Sequence, residues 1–270
     1  MHKLTVSLGQ MNIQLGDVEQ NTNIFEQYTA EAARRGSSLV IFPELWSTGY
    51  VLEQAHDYAS PLGEGMFERI ADVANRHHTT IIGSILEHRD NHEVANSAAI
   101  MSPDGEILDV YRKVHLFRLF DEEKYLQEGD APVSLDMPWG KIGVAICYDL
   151  RFPELFRRYC VQDAVRVIII PAEWPLVRIA HWRTLLMARA IENQCYVIAC
   201  NCAGKSGETV FGGHSMIIDP WGKIVVEAGE DPQLITATID LDLVDEARSK
   251  IPVFEDIRQD IYQREKTSSR

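Results

Sequence analysis

The sequence contains no apolar run near the ~20 residues that a membrane-spanning helix needs, so no membrane partner is expected. Positive charge is scarce: 26 Lys and Arg stand against 40 Asp and Glu, a formal charge of −14. Nucleic acids and anionic lipid surfaces bind positive surfaces, so neither is an expected partner. The start, Met1-His2-Lys3-Leu4-Thr5-Val6, runs straight into a strand pattern. It has neither the apolar stretch nor the small-residue cleavage site of a secretory signal. Cysteines are few and odd in number (Cys147, Cys160, Cys195, Cys200 and Cys202), which argues against a complete disulfide framework. With these absences the expected location is a reducing cytoplasm. Ligand pairs spaced for a tetrahedral metal are missing, and no cofactor is expected. His77-His78 closes a helix pattern, where positive charge suits the dipole. Gly/Ser linkers and composition breaks are also missing, so 1–270 reads as one domain with a charged C-terminal arm from about 253.

What is present is an α/β pattern. With 46% hydrophobic residues in 270, the chain can bury a full core. Strands are expected at 4–11, 38–42, 79–86, 94–101, 107–111, 133–137, 141–146, 165–170, 196–201, 213–218, 224–226 and 234–239. Helices are expected at 21–35, 66–77, 154–160, 179–193 and 241–248. Ser102-Pro103-Asp104-Gly105 and two Pro-Trp-Gly segments, 138–140 and 220–222, read as turns. Strands alternate with helices and are interrupted by hairpins, which favours a layered fold with mixed sheets. Cys200 and Cys202 have the spacing of same-face neighbours on one buried strand. The stretch from Lys113 to Asp130 is polar and irregular.

Three strand patterns end in reactive residues. Ile142–Ile146 leads into Cys147-Tyr148-Asp149-Leu150-Arg151-Phe152-Pro153-Glu154. A thiol between a strand and a helix start sits near backbone N–H groups, where a thiolate is stabilised. A small buried apolar residue is the other reading of such a cysteine. Leu39-Val40-Ile41-Phe42-Pro43 leads into Glu44, whose carboxyl should lose solvation and rise in pKa. Val110-Tyr111-Arg112 leads into Lys113. On residue types alone, Glu44 and Lys113 fit a structural ion pair equally well. In open α/β sheets, however, ligands bind at the carboxyl ends of strands.

The Phe42-Pro43-Glu44, Tyr111-Arg112-Lys113-Val114-His115-Leu116 and Cys147-Tyr148-Asp149-Leu150-Arg151-Phe152-Pro153-Glu154 segments, in this order, resemble the carbon–nitrogen hydrolase (nitrilase) superfamily. The resemblance runs from Gly9-Gln10 to Ile251-Pro252-Val253-Phe254. It implies a four-layer α-β-β-α sandwich with mixed sheets, assembled as a homodimer or higher homo-oligomer. It also implies a Glu-Lys-Cys triad of Glu44, Lys113 and Cys147. Cys147 is then the nucleophile. Glu44 serves as base for the thiol, acid for ammonia and base for water. Lys113 and the backbone N–H of Tyr148 meet the oxyanion, and Lys113 lowers the thiol pKa. The family also carries a second glutamate before a glycine. Counting back from Gly129 favours Glu122, with Glu123 as its rival.

Arg151 and Glu154 are expected to hold the turn after the nucleophile. Arg189 and Glu192 read as a scaffold pair on a helix. For the substrate, Tyr50 and Trp174 are candidate pocket walls, and Arg178 or Arg118 a candidate partner for a substrate carboxylate. Together these segments resemble the omega-amidase branch, which implies a small-molecule amide substrate such as 2-oxoglutaramate or 2-oxosuccinamate. Hydrolysis of N-carbamoyl amines, deaminated glutathione or aliphatic amides is the neighbouring alternative. A catalytically idle scaffold of the same fold is the alternative of another class.

Overall fold

The computed structural model describes residues 3–90 and 92–262. Two large mixed sheets dominate it, one of seven strands and one of six. They share a plan. In the first sheet Lys3–Gln10, Leu39–Ile41 and Thr80–His88 run parallel at the centre, with antiparallel neighbours on both sides. In the second, Gly140–Val144, Val167–Ala172 and Tyr196–Asn201 form the parallel centre, again with antiparallel flanks.

Side-chain alternation sorts the layers. Leu39 and Ile41 face the second sheet, whereas Val40 between them faces helices Val18–Arg34 and Met66–His77. Ile82 and Ile100 point inward in the same way, and their neighbours Ile81 and Met101 point outward. The second sheet is covered on both faces, so Val167–Ala172 and Tyr196–Asn201 are buried at every position. Such continuous apolar runs are what a central parallel strand requires. Helices Pro153–Val161 and Ile179–Asn193 close the far side through Phe156, Trp182 and Leu186. The result is the expected α-β-β-α order.

Local chemistry sets the element ends. Asp17 caps the first helix, its side chain accepting from Gln20 N–H. Pro153 opens its helix at a position where a missing N–H costs nothing. Several expectations shift at their boundaries. The first helix begins at Val18 rather than at residue 21, and the strand before the nucleophile ends at Val144, with Ala145 N–H still donating to the Ile169 carbonyl at 3.0 Å before Ile146 enters the turn. A hairpin of Ala203–Ser206 and Thr209–Gly212 forms where no strand was read, because its polar, Gly-containing sequence carries no apolar alternation. Cys202 lies past its strand end and packs in a different core cluster from Cys200, so the two thiols are not same-face neighbours. In the expected C-terminal arm, Phe254 is held between Arg157 and Arg248. Residues 263–270 of that arm lie outside the described residues.

Candidate active site

Parallel strands deliver their carboxyl ends to one edge, and the reactive residues lie there. Glu44 follows Leu39–Ile41, Lys113 follows Ile107–Arg112, and Cys147 follows Gly140–Val144. Beyond its strand the Glu44 segment stays clipped to the Thr80–His88 strand: Leu45 N–H donates to Ser84 Oγ at 3.0 Å, and Trp46 N–H to the Ser84 carbonyl at 3.2 Å. Trp46 stacks on Phe25 with centroids 4.3 Å apart, a contact worth about 1 kcal/mol beyond its burial. Gly83 makes room for this packing, since a Cβ there would lie 2.8 Å from Phe42 Cβ and 2.9 Å from Trp46 Cδ1. Leu45 pays with a left-handed φ of 42° directly beside Glu44.

The polar stretch after Lys113 is irregular but ordered by its returns. Gly129 N–H donates to the Lys113 carbonyl at 2.8 Å, and Gln127 N–H to Val94 at 2.7 Å. A side chain at 129 would collide with the Arg112 carbonyl, its Cβ at 2.2 Å. This closure turns Glu122 inward and leaves Glu123 exposed. Lys113 Nζ then donates to Glu44 Oε1 at 2.7 Å and to Glu122 Oε1 at 2.6 Å. Asn96 Nδ2 and Glu173 N–H also donate to Glu44, at 2.8 and 3.0 Å. Tyr50 OH and Phe117 N–H donate to Glu122, at 2.7 and 2.9 Å. All three charged side chains are buried.

Cys147 opens a 3-10 turn, Cys147–Arg151, with a left-handed φ of 43°. Asp149, fully buried, ties this turn to the Lys113 side. Its Oδ2 accepts from Ile146 N–H at 2.8 Å and Tyr111 OH at 2.7 Å. Its Oδ1 accepts from His115 N–H at 3.0 Å and lies 2.7 Å from His115 Nδ1. The thiol itself points at the Glu173 carbonyl, 3.8 Å away. Asp149 was not singled out from sequence. Its four hydrogen bonds come from three residues, of which Tyr111 and His115 lie 38 and 34 positions away.

A tight cleft of about 10 Å³ is lined by Cys147, Phe117, Tyr148, Glu173, Trp174 and Arg178. Arg151 lines it as well, its guanidinium 4.7 Å over the Trp174 ring. Arg151 therefore faces the cleft rather than serving the turn alone. Arg178 sits 5.6 Å over the Phe117 ring. Neither guanidinium has a carboxylate partner among the described residues. Trp174 is fixed by its neighbours: Nε1 donates to the Arg178 carbonyl at 2.9 Å, and its backbone is held on both sides by Asn201. Tyr50 lines an adjoining cavity of about 260 Å³, shared with Phe120, Glu173, Ser206 and Phe211. Arg118 departs from expectation. It lines a neighbouring surface cavity with His115, Leu119 and Phe152 that shares Phe117 and Tyr148 with the cleft, and is not among the residues lining the cleft itself. Arg189 and Glu192 do pair, at 2.8 Å, and Arg189 also holds the Leu150 carbonyl after the nucleophile.

Burial dominates the electrostatics. It works against the Lys113 ammonium, but Glu122 and Glu44 outweigh it and hold that pKa above the usual lysine value. Burial and then the Glu44 charge push the Cys147 thiol well up, with Lys113 only partly opposing them. Lys113 thus supports the thiolate as expected, but burial and Glu44 oppose it more strongly. Burial, only partly offset by Lys113, raises Glu122, and burial followed by Glu44 raises Glu173 well above the carboxylate range. Glu173 was missed in the sequence. Its signal is the one that marked Glu44, an acid directly after a buried apolar strand.

Comparison with known proteins agrees with this geometry. Residues 5–249 match the carbon-nitrogen hydrolase family model. The 2-oxoglutaramate amidase of Bacillus subtilis is 41% identical over 260 residues, 96% of this chain and 100% of that protein. The omega-amidase NIT2 of Homo sapiens is 33% identical over 244 residues, 87% of this chain and 88% of that protein. Among solved structures, a carbon–nitrogen hydrolase superfamily protein of Xanthomonas campestris, with an arsenic adduct in its active site, superposes with a TM-score of 0.89. It is 32% identical, covering 95% of this chain and 98% of the other. The chain belongs to the carbon–nitrogen hydrolase family and is a hydrolase acting on carbon–nitrogen bonds.

Proposed function

We propose that this enzyme hydrolyses the terminal amide of small 2-oxo acid monoamides, 2-oxoglutaramate and 2-oxosuccinamate, through a thioester on Cys147. The observation that carries the reading is the cleft itself. The Cys147 thiol neighbours Glu44 and Lys113 of the buried Glu–Lys–Glu cluster, and two guanidinium groups without carboxylate partners among the described residues, Arg178 and Arg151, line the same cleft. The first arrangement suits attack on an amide, the second a substrate that carries a carboxylate. The likeness to the Bacillus subtilis 2-oxoglutaramate amidase supports the same substrate class.

The chemistry follows from the bonding. The Cys147 Sγ–H proton passes to Glu44 as sulfur bonds to the amide carbon. The carbonyl electron pair moves onto oxygen, which meets the Lys113 ammonium and the Tyr148 N–H. Glu122 holds Lys113 in place from the opposite side. Glu44 returns its proton to the nitrogen, the oxyanion pair re-forms the carbonyl as the C–N bond breaks, and ammonia leaves the Cys147 thioester. Glu44 next takes a proton from water, whose oxygen attacks the thioester. The C–S bond breaks, the 2-oxo dicarboxylic acid leaves, and the thiol is restored. No step needs a metal or cofactor. Residues 1–270 act in this reading as one catalytic domain, supported by the pairing of Lys3–Gln10 with Gln233–Asp240. Self-association as a homodimer or larger oligomer in the cytoplasm completes the proposal; light scattering after size-exclusion chromatography tests the assembly.

The experiment is ammonia release from 2-oxoglutaramate, 2-oxosuccinamate, N-carbamoylputrescine, deaminated glutathione and propionamide, with Cys147→Ala as control. The two 2-oxo amides are expected to give the highest kcat/KM. Preference for any other compound overturns the substrate reading. Arg178→Met is expected to raise KM for 2-oxoglutaramate roughly 10- to 100-fold, the range for a lost charged hydrogen bond, and to spare propionamide. Equal effects on both substrates remove Arg178 as the carboxylate partner.

A further inference from the structure

Glu173 occupies the wall between the cleft and the larger cavity and lines both. Its side chain is 1% exposed, yet neither carboxyl oxygen has a hydrogen-bond partner among the described residues. Buried polar groups in folded proteins are almost always bonded, so an unbonded one in a substrate cavity points to a ligand. Its backbone is committed elsewhere: the N–H serves Glu44 and the carbonyl faces the Cys147 thiol. That fixes the residue beside the reacting atoms and leaves only the carboxyl free.

Charge accounting sets its protonation state. Glu44 and Glu122 already share the Lys113 ammonium. Glu173 makes no ion pair with it, although the ammonium still partly opposes the rise of its pKa; Tyr50 and Cys202 also face Glu173, and the Cys147 thiol points at its carbonyl. Arg151 and Arg178 line the same cleft, each over an aromatic ring and neither hydrogen-bonded to Glu173. A third buried anion would have no bonded counter-charge, so Glu173 keeps its proton, in keeping with the upward push of burial and Glu44 on its pKa. A protonated carboxyl is a donor with acceptor capacity to spare. Being neutral, it also tolerates an anionic substrate that a carboxylate would repel.

We propose that Glu173 is a specificity-determining residue whose protonated carboxyl donates a hydrogen bond to the 2-oxo oxygen of the substrate, while Arg178 and Arg151 hold the substrate carboxylate. The inference rests on the 2-oxo acid monoamide reading above. It assigns to one residue the distinction between a 2-oxo amide and the same amide without the oxo group.

The test compares kcat/KM for 2-oxosuccinamate with that for succinamate in the wild type, Glu173→Gln and Glu173→Ala. The ratio is expected to fall at least about tenfold in Glu173→Ala, as for a site that loses a substrate hydrogen bond. Gln keeps a donor, so its ratio stays within about threefold of the wild type. An unchanged ratio in Glu173→Ala, or equal losses on both substrates, overturns the proposal. A second readout needs no turnover. At neutral pH the infrared spectrum of Cys147→Ala protein is expected to contain a protonated-carboxyl C=O band that Glu173→Gln removes. That band should shift on adding 2-oxosuccinamate and not on adding succinamate. A missing or unshifted band overturns the proposal by itself. Wild-type enzyme that releases no ammonia from either 2-oxo amide overturns the substrate reading instead, so the two failures are distinguishable.

Discussion

The two sheets contribute opposite kinds of group to one cavity. From the first come Glu44 and Lys113, bonded to excess: with Glu122 they form a closed cluster in which every charge has a partner. From the second come Cys147, held at a left-handed φ of 43°, and Glu173, buried without a bond. On the first side the three charged groups are bonded before any substrate arrives, although Asn96 Oδ1 beside them is unbonded and Leu45 has a left-handed φ of 42°. The second side differs in presenting an unbonded carboxyl to the cleft. Rigidity thus lies where charge must be positioned, and the unbonded carboxyl where a ligand must be recognised.

Mutations should separate the two sides. Lys113→Met strips the cluster of its cation and leaves Glu44 and Glu122 facing each other in a buried site. Breaking a buried pair in this way costs about 3–5 kcal/mol. Urea unfolding is expected to show that loss, together with loss of ammonia release. An unchanged midpoint would mean that the cluster is not the satisfied element described here.

Asp149→Asn acts between the sheets. Its carboxylate joins the His115 segment to the nucleophile turn. The variant is expected to lose about 100-fold in kcat, the cost of a nucleophile displaced by about 1 Å, with KM within about threefold. A rise in KM at constant kcat would place Asp149 in binding rather than positioning.

Glu173→Gln should have the smallest effect, and its sign is informative. In the unfolded chain a glutamate loses its proton near pH ~4.3, whereas burial keeps Glu173 protonated in the folded enzyme. The folded state therefore binds more protons, and the wild type loses stability as pH rises above ~4.3. Glutamine carries no such penalty. The melting temperature of Glu173→Gln should exceed that of the wild type near pH ~7.5, with the gap narrowing as the pH falls toward ~4.3. A gap that widens on acidification would contradict a neutral Glu173.

What the sequence made legible follows the same division. Glu44, Lys113 and Cys147 each stand at the end of a strand pattern, and strand direction alone sends them to one edge. Glu122 was reached only by counting from Gly129, and the reason for that spacing is the close approach of Gly129 to the Arg112 carbonyl. Asp149 and Glu173 were passed over because their meaning lies in what surrounds them: four hydrogen bonds to one carboxyl, none to the other. The setting of the thiol was only partly legible for a related reason. The turn after the strand was visible, but the depth of burial that outweighs Lys113 was not. Arg118 has the charge a carboxylate needs, but it lines the cavity that shares Phe117 and Tyr148 with the cleft rather than the cleft itself.

The most direct measurement is rapid-quench mass spectrometry during turnover of 2-oxoglutaramate. The account predicts an adduct equal to the substrate less ammonia, confined to the peptide that carries Cys147. Turnover without that adduct, or an adduct on any of the other four cysteines, would contradict it.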